Sequence, residues 1–215
     1  MPQFGFPHRH RYNTLRLPGY DYNSTWQLCA LSLVTDLRRP LFADVNLAKS
    51  ILKVLLSDQT LEHMRIRAFT LMPNHLHFLA GVREPEKKLN NLIGIFKSYT
   101  TQAYWKRSRE VIAAGEIRSV SNGVMKSSRK ESLHVISALT DWRATLRPEV
   151  VELKNWPTVA VEDFRKKRLW QTRFFDHVIR NDSDLEENLR YIEMNSVREG
   201  YVEYPQFYPY TGFVE

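Results

Sequence analysis

The sequence predicts an α+β fold of the ferredoxin-like kind, an antiparallel sheet with flanking helices and an inserted helical or loop segment. Three observations carry this expectation. Segments of strand and helix character follow one another as strand, helix, strand, strand, helix, with a further strand near the C-terminal end. The stretch Met72-Pro-Asn-His-Leu-His-Phe-Leu-Ala80 places two turn residues between apolar runs, which predicts an antiparallel hairpin. In the second arm of that hairpin, His75 and His77 alternate with Leu76 and Phe78, so a strand would put two imidazoles on one face and hydrophobes on the other.

Taken in order, residues 1–23 are rich in Arg, His, Tyr and Pro and read as a basic N-terminal arm. His8 and His10 there repeat the spacing of His75 and His77, but without an apolar run around them. Trp26–Thr35 is apolar enough for a buried first strand, and Asp36–Phe42 reads as a turn. Asp44 or Asn46 can cap a helix over Leu47–Leu56, in which Leu47, Ile51 and Leu55 form a stripe. Met64–Leu71 and His75–Val82 are the hairpin strands. A helix is expected from about Pro85 to Lys106, with an apolar face of Leu89, Leu92, Ile93, Phe96, Tyr99 and Ala103. Residues 108–164 show no clean period and are treated as an insertion, either packed outside the core or in contact with a partner. Trp170–Ile179 would supply the fourth strand. The last helix begins near Ser183, with Glu186 placed for a capping box, and runs through Leu185, Leu189 and Ile192 to a stop at Gly200. The domain is thus expected in two parts, 24–107 and 165–215, around the insertion.

The composition sets limits. With 215 residues and 43% hydrophobic content, the chain can build one well-cored domain. It has no run approaching a membrane span and no secretory signal in Met1–Arg16. The single cysteine, Cys29, excludes an intramolecular disulfide and fits a reducing cytoplasm. A formal net charge of +7 favours polyanionic partners, nucleic acid above all.

A His pair on one strand face can hold a divalent ion or be structural, and spacing alone leaves both open. On the last helix, Tyr191 and Asn195 are four residues apart and share a face. There a phenol could serve as nucleophile and a carboxamide as an oxygen ligand, or the two could be an ordinary half-buried tyrosine and a capping asparagine.

Three blocks together carry a resemblance: Met72-Pro-Asn-His-Leu-His-Phe-Leu, Trp170-Gln-Thr-Arg-Phe-Phe-Asp-His-Val-Ile-Arg180 and Tyr191-Ile-Glu-Met-Asn-Ser-Val-Arg-Glu-Gly-Tyr-Val202. In this order they resemble the Y1 transposases of the HUH superfamily, and above all the REP-associated tyrosine transposases, relatives of the IS200/IS605 transposases. The resemblance covers roughly 26–106 and 168–208. It departs at Ser196, where the family usually has Pro, and over about 108–164. It implies the HUH/Y1 transposase fold, with His75 and His77 as the HUH pair, Asn195 completing a site for Mg²⁺ or Mn²⁺, and Tyr191 as the nucleophile. It further implies DNA nicking and joining on single-stranded or hairpin DNA, through a 5′-phosphotyrosine, as in transposition at repeat hairpins.

Tyr99 is the rival nucleophile, although its place on a helix stripe argues for packing. Lys97, Arg173, Arg180 and Arg198 are candidate phosphate contacts or solvated charges. The arm 1–23 is either laid on DNA or an unstructured tail. Trp170 and Phe174 are core residues or stacking platforms for unpaired bases. His177 is a structural histidine by default, or a neighbour of the site. Two other functions stay open: a DNA-binding regulator without catalysis, and a metal-dependent phosphodiesterase using water. A homodimer is left open too.

Overall fold

The computed structural model describes Tyr22 and residues 24–120 and 153–214, with side chains from 116 to 120 excepted. The N-terminal arm expected over 1–23 lies outside them apart from Tyr22, as does 121–152, which holds most of the expected insertion.

Five strands form one antiparallel sheet, with β4 at one edge followed by β1, β3, β2 and β5. They are β1 (Cys29–Val34), β2 (Met64–Met72), β3 (His75–Val82), β4 (Phe175–Val178) and β5 (Thr211–Phe213). The first four have the ferredoxin-like order, and β5 is added on the outer side of β2. The β2–β3 hairpin turns on Pro73-Asn74, with Met72 opposite His75. Its tip is held from outside: the Pro73 carbonyl accepts the Phe42 N–H at 2.8 Å, and the Asn74 carbonyl accepts the Thr35 N–H at 2.9 Å.

The first strand is shorter than the apolar run suggested. It starts at Cys29, and Trp26 is 88% exposed. Helix α1 (Val45–Leu55) takes Asp44 as its cap, whose carboxylate accepts the Leu47 N–H, and buries Leu47, Ile51 and Leu55. A short α2 (Asp58–His63) follows, which the periodicity did not signal. Helix α3 (Leu89–Val120) starts later and ends later than expected, so residue 107 lies inside it and the expected insertion begins mid-helix. Its buried stripe is Leu89, Leu92, Ile93, Phe96, Thr100, Tyr104 and Ser108. The four-residue steps from Phe96 onward carry the stripe past Tyr99, which is therefore 41% exposed and not core.

After α4 (Val161–Phe164), Trp170 makes only a single bridge to Thr35, and β4 proper is four residues long. Trp170 is core: it stacks at a tilt on Phe42 and donates its indole N–H to Thr100. Phe174 is half-buried against the same core. Helix α5 (Asp182–Arg198) starts one residue ahead of Ser183. Its cap is Asn181, whose side chain accepts the Asp184 N–H, so the Ser183–Glu186 box does not form. Gly200, with φ of 75°, ends it as expected.

The sheet has two unlike faces. Leu31, Leu33, Phe69, Leu71, Leu76 and Phe78 pack with α1 and α3 in the main core. On the other face, α5 lies over a small cluster of Ala68, Leu79, Ile179 and Ile192, flanked by Leu185 and Leu189.

Candidate active site

The site is built where α5 crosses the second face. His75 and His77 leave β3 on that face, and their rings meet edge to face with centroids 4.5 Å apart. Tyr191 reaches down from α5, its ring centroid 5.3 Å from that of His77. Asn195, one turn further on, is 4% exposed and hydrogen-bonds the Tyr191 phenol. The guanidinium of Arg198 lies 4.8 Å from the centre of the Tyr191 ring, over its face. One chain alone therefore brings His75, His77, Tyr191, Asn195 and Arg198 together.

Each imidazole is fixed by a hydrogen bond at its Nδ1. His75 Nδ1 is 2.6 Å from the Asn74 side-chain oxygen, which can only accept. The proton therefore sits on Nδ1, and the Nε2 lone pair is directed elsewhere. His77 Nδ1 is 2.5 Å from the Ser32 hydroxyl, the residue directly opposite it in the β1–β3 register. Burial, with Arg38 nearby, pushes the His75 imidazole down to about 4. Burial, then His75 and Arg198, hold His77 well below the ordinary range. Both rings are thus neutral at pH 7, the form in which imidazole binds metal.

Burial raises the Tyr191 phenol, while Arg198 and the Asn195 amide pull it back. The Asn195 side chain also carries a carbonyl oxygen, an atom type able to ligate a cation. Among the described residues no group of three His, Cys, Asp or Glu comes together.

The other expected residues fall elsewhere. Lys97 lies on α3, across the sheet from the His pair. It donates to the Gln171 and Thr172 carbonyls at 2.8 and 3.3 Å, and burial lowers it to about 8. It clamps the approach to β4. Arg173 and Arg180 are exposed at the two ends of β4. Tyr99 is on α3 too, accepting a hydrogen bond from Gln59 at 3.1 Å, so the whole sheet separates it from the His pair.

His177 does not enter the site. It pairs with Asp184 at 2.8 Å, and Asn188 donates to the same carboxylate at 2.9 Å. Asp184, Asn188, Tyr191 and Asn195, spaced by four, three and four residues, form one stripe on α5. The His177–Asp184 pair thus ties the start of the tyrosine helix to β4. Sequence reasoning missed this pair, Ser32, Asn74 and Arg38. Extending the Tyr191–Asn195 stripe backwards would have found Asp184, whereas Ser32 becomes visible only once β1 is known to lie beside β3.

Residues 28–121 match the family described as "Transposase IS200 like". A protein of Haemophilus influenzae assigned provisionally as a REP-associated tyrosine transposase is 44% identical over 52 residues, 24% of this chain and 30% of that protein. The REP-associated tyrosine transposase of Escherichia coli is 38% identical over 47 residues, 22% of this chain and 28% of that protein. Each match thus spans less than a third of the relative. A solved structure of a REP-associated tyrosine transposase bound to a REP hairpin superposes with a TM-score of 0.48 at 18% identity, covering 87% of this chain and 77% of that one. The chain is thus similar to IS200-like transposases over residues 28–121, and to two REP-associated tyrosine transposases over stretches of 52 and 47 residues.

Proposed function

We propose that this chain nicks and rejoins single-stranded DNA, with Tyr191 as the nucleophile, and acts at repeat hairpins like those its relatives are named for. The observation that supports it most is the meeting of Tyr191 with His77 across two separate elements, at 5.3 Å between ring centroids. The phenol is hydrogen-bonded by Asn195 and Arg198, and its ring lies beside the His77 imidazole, groups suited to a phosphodiester.

His75, His77 and the Asn195 carbonyl oxygen would hold a divalent ion, Mg²⁺ or Mn²⁺. Two neutral nitrogens and one neutral oxygen fit such an ion and leave its charge uncompensated for a phosphate. When bound, the ion supplies Lewis-acid stabilisation of charge on the scissile phosphate. The residues of the chain do the rest. Ser32 and Asn74 hold the imidazoles in orientation. Arg198 and the Asn195 amide favour the phenolate that burial disfavours. Tyr191 Oη then bonds to phosphorus as the bond from phosphorus to the 3′ oxygen breaks. The phenol proton is lost, and the 3′ oxygen leaves as a hydroxyl by gaining one. The resulting 5′-phosphotyrosine keeps the energy of the broken bond, so a 3′-hydroxyl can reverse the step and join a strand.

The test is a labelled single-stranded hairpin incubated with Mn²⁺ or Mg²⁺ and resolved on a denaturing protein gel. Covalent label is expected on the wild type and on Tyr99→Phe, and none on Tyr191→Phe or His75→Ala. Metal-dependent cleavage that persists in Tyr191→Phe would replace this reading with a water nucleophile. Tight DNA binding without any adduct or cleavage would replace it with a regulator.

A further inference from the structure

An exposed aromatic side chain stands on the site face at the β4 edge of the sheet. Phe175, at the start of the edge strand β4, is 57% exposed and belongs to neither apolar cluster. Its position is set by register: Phe175 lies opposite Ser32 on β1, and Ser32 lies opposite His77 on β3. Residues directly opposite in an antiparallel sheet point to the same face. Ser32 reaches His77 with its hydroxyl on the α5 side, so Phe175 faces that side too. Two strand spacings, about 10 Å, separate it from His77 along this row.

Helix α5 does not cover this end of the row. It rises from β4 one register step away, where His177 holds Asp184, and crosses towards β3 and β2 to deliver Tyr191. Phe175 is left open beside the path of the helix. Its neighbour Phe174 packs into the main core on the opposite face, with the Lys97 ammonium 5.7 Å from its ring. Exposed cations lie at both ends of the strand, Arg173 two residues before Phe175 and Arg180 after β4, and Arg198 is at the phenol. The other exposed aromatics are placed differently. Tyr204 and Phe207 pack on each other, Trp105 donates to the Lys167 carbonyl, Tyr99 accepts from Gln59 on the other face, Trp26 precedes β1, and Phe213, opposite Ala68, stands on β5 at the far edge of the sheet from β4.

A flat apolar ring, open to solvent and flanked by guanidinium groups, matches the arrangement by which proteins hold single strands: cations for the backbone and a π-face for a base. A duplex has no unstacked base to offer. We propose that Phe175 is a stacking platform for one unpaired base close to the phosphate attacked by Tyr191. This rests on the single-strand reading of the site and adds to it a binding subsite.

The test uses a hairpin with single-stranded flanks carrying 2-aminopurine at successive flank positions, with the full chain and its Phe175→Ala, Phe175→Leu and Phe175→Trp variants. In the wild type the probe should be quenched at one flank position. Phe175→Ala and Phe175→Leu should lose that quenching and bind the flanked hairpin about 5- to 150-fold more weakly. Phe175→Trp should keep both, and the thermal midpoints of all four proteins should agree, because the ring is exposed. Leu is the informative arm, since it keeps apolar bulk without a π-face. Unchanged affinity and quenching in Phe175→Ala, with the Tyr191 adduct still forming, overturns the platform and leaves the nucleophile standing. A wild type that neither binds the hairpin nor forms the adduct overturns both.

Discussion

The two faces of the sheet do different work, and residues next to each other in sequence fall on opposite sides of the division. Beneath α1 and α3 the face is almost wholly apolar and closed. Beneath α5 a small apolar cluster supports a row of polar groups: Ser32, His75, His77, Tyr191 and Asn195. Each face also has its tyrosine-bearing helix. Tyr99 on α3 is exposed beside Gln59, whereas Tyr191 on α5 is against His77. A tyrosine becomes a candidate nucleophile through the face its helix covers, and Tyr191 stands beside the His pair and Arg198. The large core on the first face supplies the stability that lets the second hold buried polar groups in fixed positions.

The sharpest way to break this comparison is to exchange the tyrosines' roles. Loss of the covalent adduct should be complete in Tyr191→Phe and absent in Tyr99→Phe; the reverse pattern would put the chemistry on the wrong face.

Next in size is the contrast between Phe78 and His77. Phe78→Ala should cost about 3–5 kcal/mol in denaturant unfolding, because it empties a fully buried site beside Phe96. The variant should still form adduct wherever it stays folded. His77→Ala should abolish the adduct at a smaller cost in stability. Equal losses of stability would mean that the second face is core as well.

A pH titration tests the polar row without DNA. His75 is held down to about 4 in the folded chain, against about 6.5 when unfolded. Below about 6.5 the unfolded chain therefore binds a proton that the folded chain refuses. The stability this neutral ring supports is intact above that pH and falls as pH drops towards 4. Between pH 6.5 and 4.5 the wild type's melting temperature should fall more than that of His75→Gln; parallel curves would show that His75 is solvated.

The smallest effect should come from the anchor of α5. Asn181→Ala removes the cap on the Asp184 N–H and should cost about 1 kcal/mol.

Much of the fold was legible because it rests on short-range patterns. The alternation through His75, Leu76, His77 and Phe78 fixed which faces the side chains take, Pro73-Asn74 marked the hairpin, and the Leu47–Ile51–Leu55 stripe gave α1 its buried side. Errors gathered where a local pattern met a competing contact. Trp26 is apolar yet exposed, because pairing with β3 begins only at Cys29. Ser183 lost the cap to Asn181 because the Asp184 carboxylate is drawn to His177 and the Arg180 N–H. The stripe on α3 continued through Thr100 and Tyr104, where the Tyr104 hydroxyl meets the carbonyls of residues 163, 164 and 166.

By itself the sequence determined the chemical inventory, namely a His pair on one strand face and a Tyr and Asn on one helix face, since side-chain periods of two and of about 3.6 follow from backbone geometry alone. It could not determine that these two faces meet. That depends on α5 packing on the face that α1 and α3 leave open, and on β1 lying beside β3 so that Ser32 reaches His77 and Phe175 joins the same row. Such contacts join residues 45 to more than 100 positions apart in the chain. They are settled only when the whole sheet is assembled and the burial of two cores selects one arrangement of its strands.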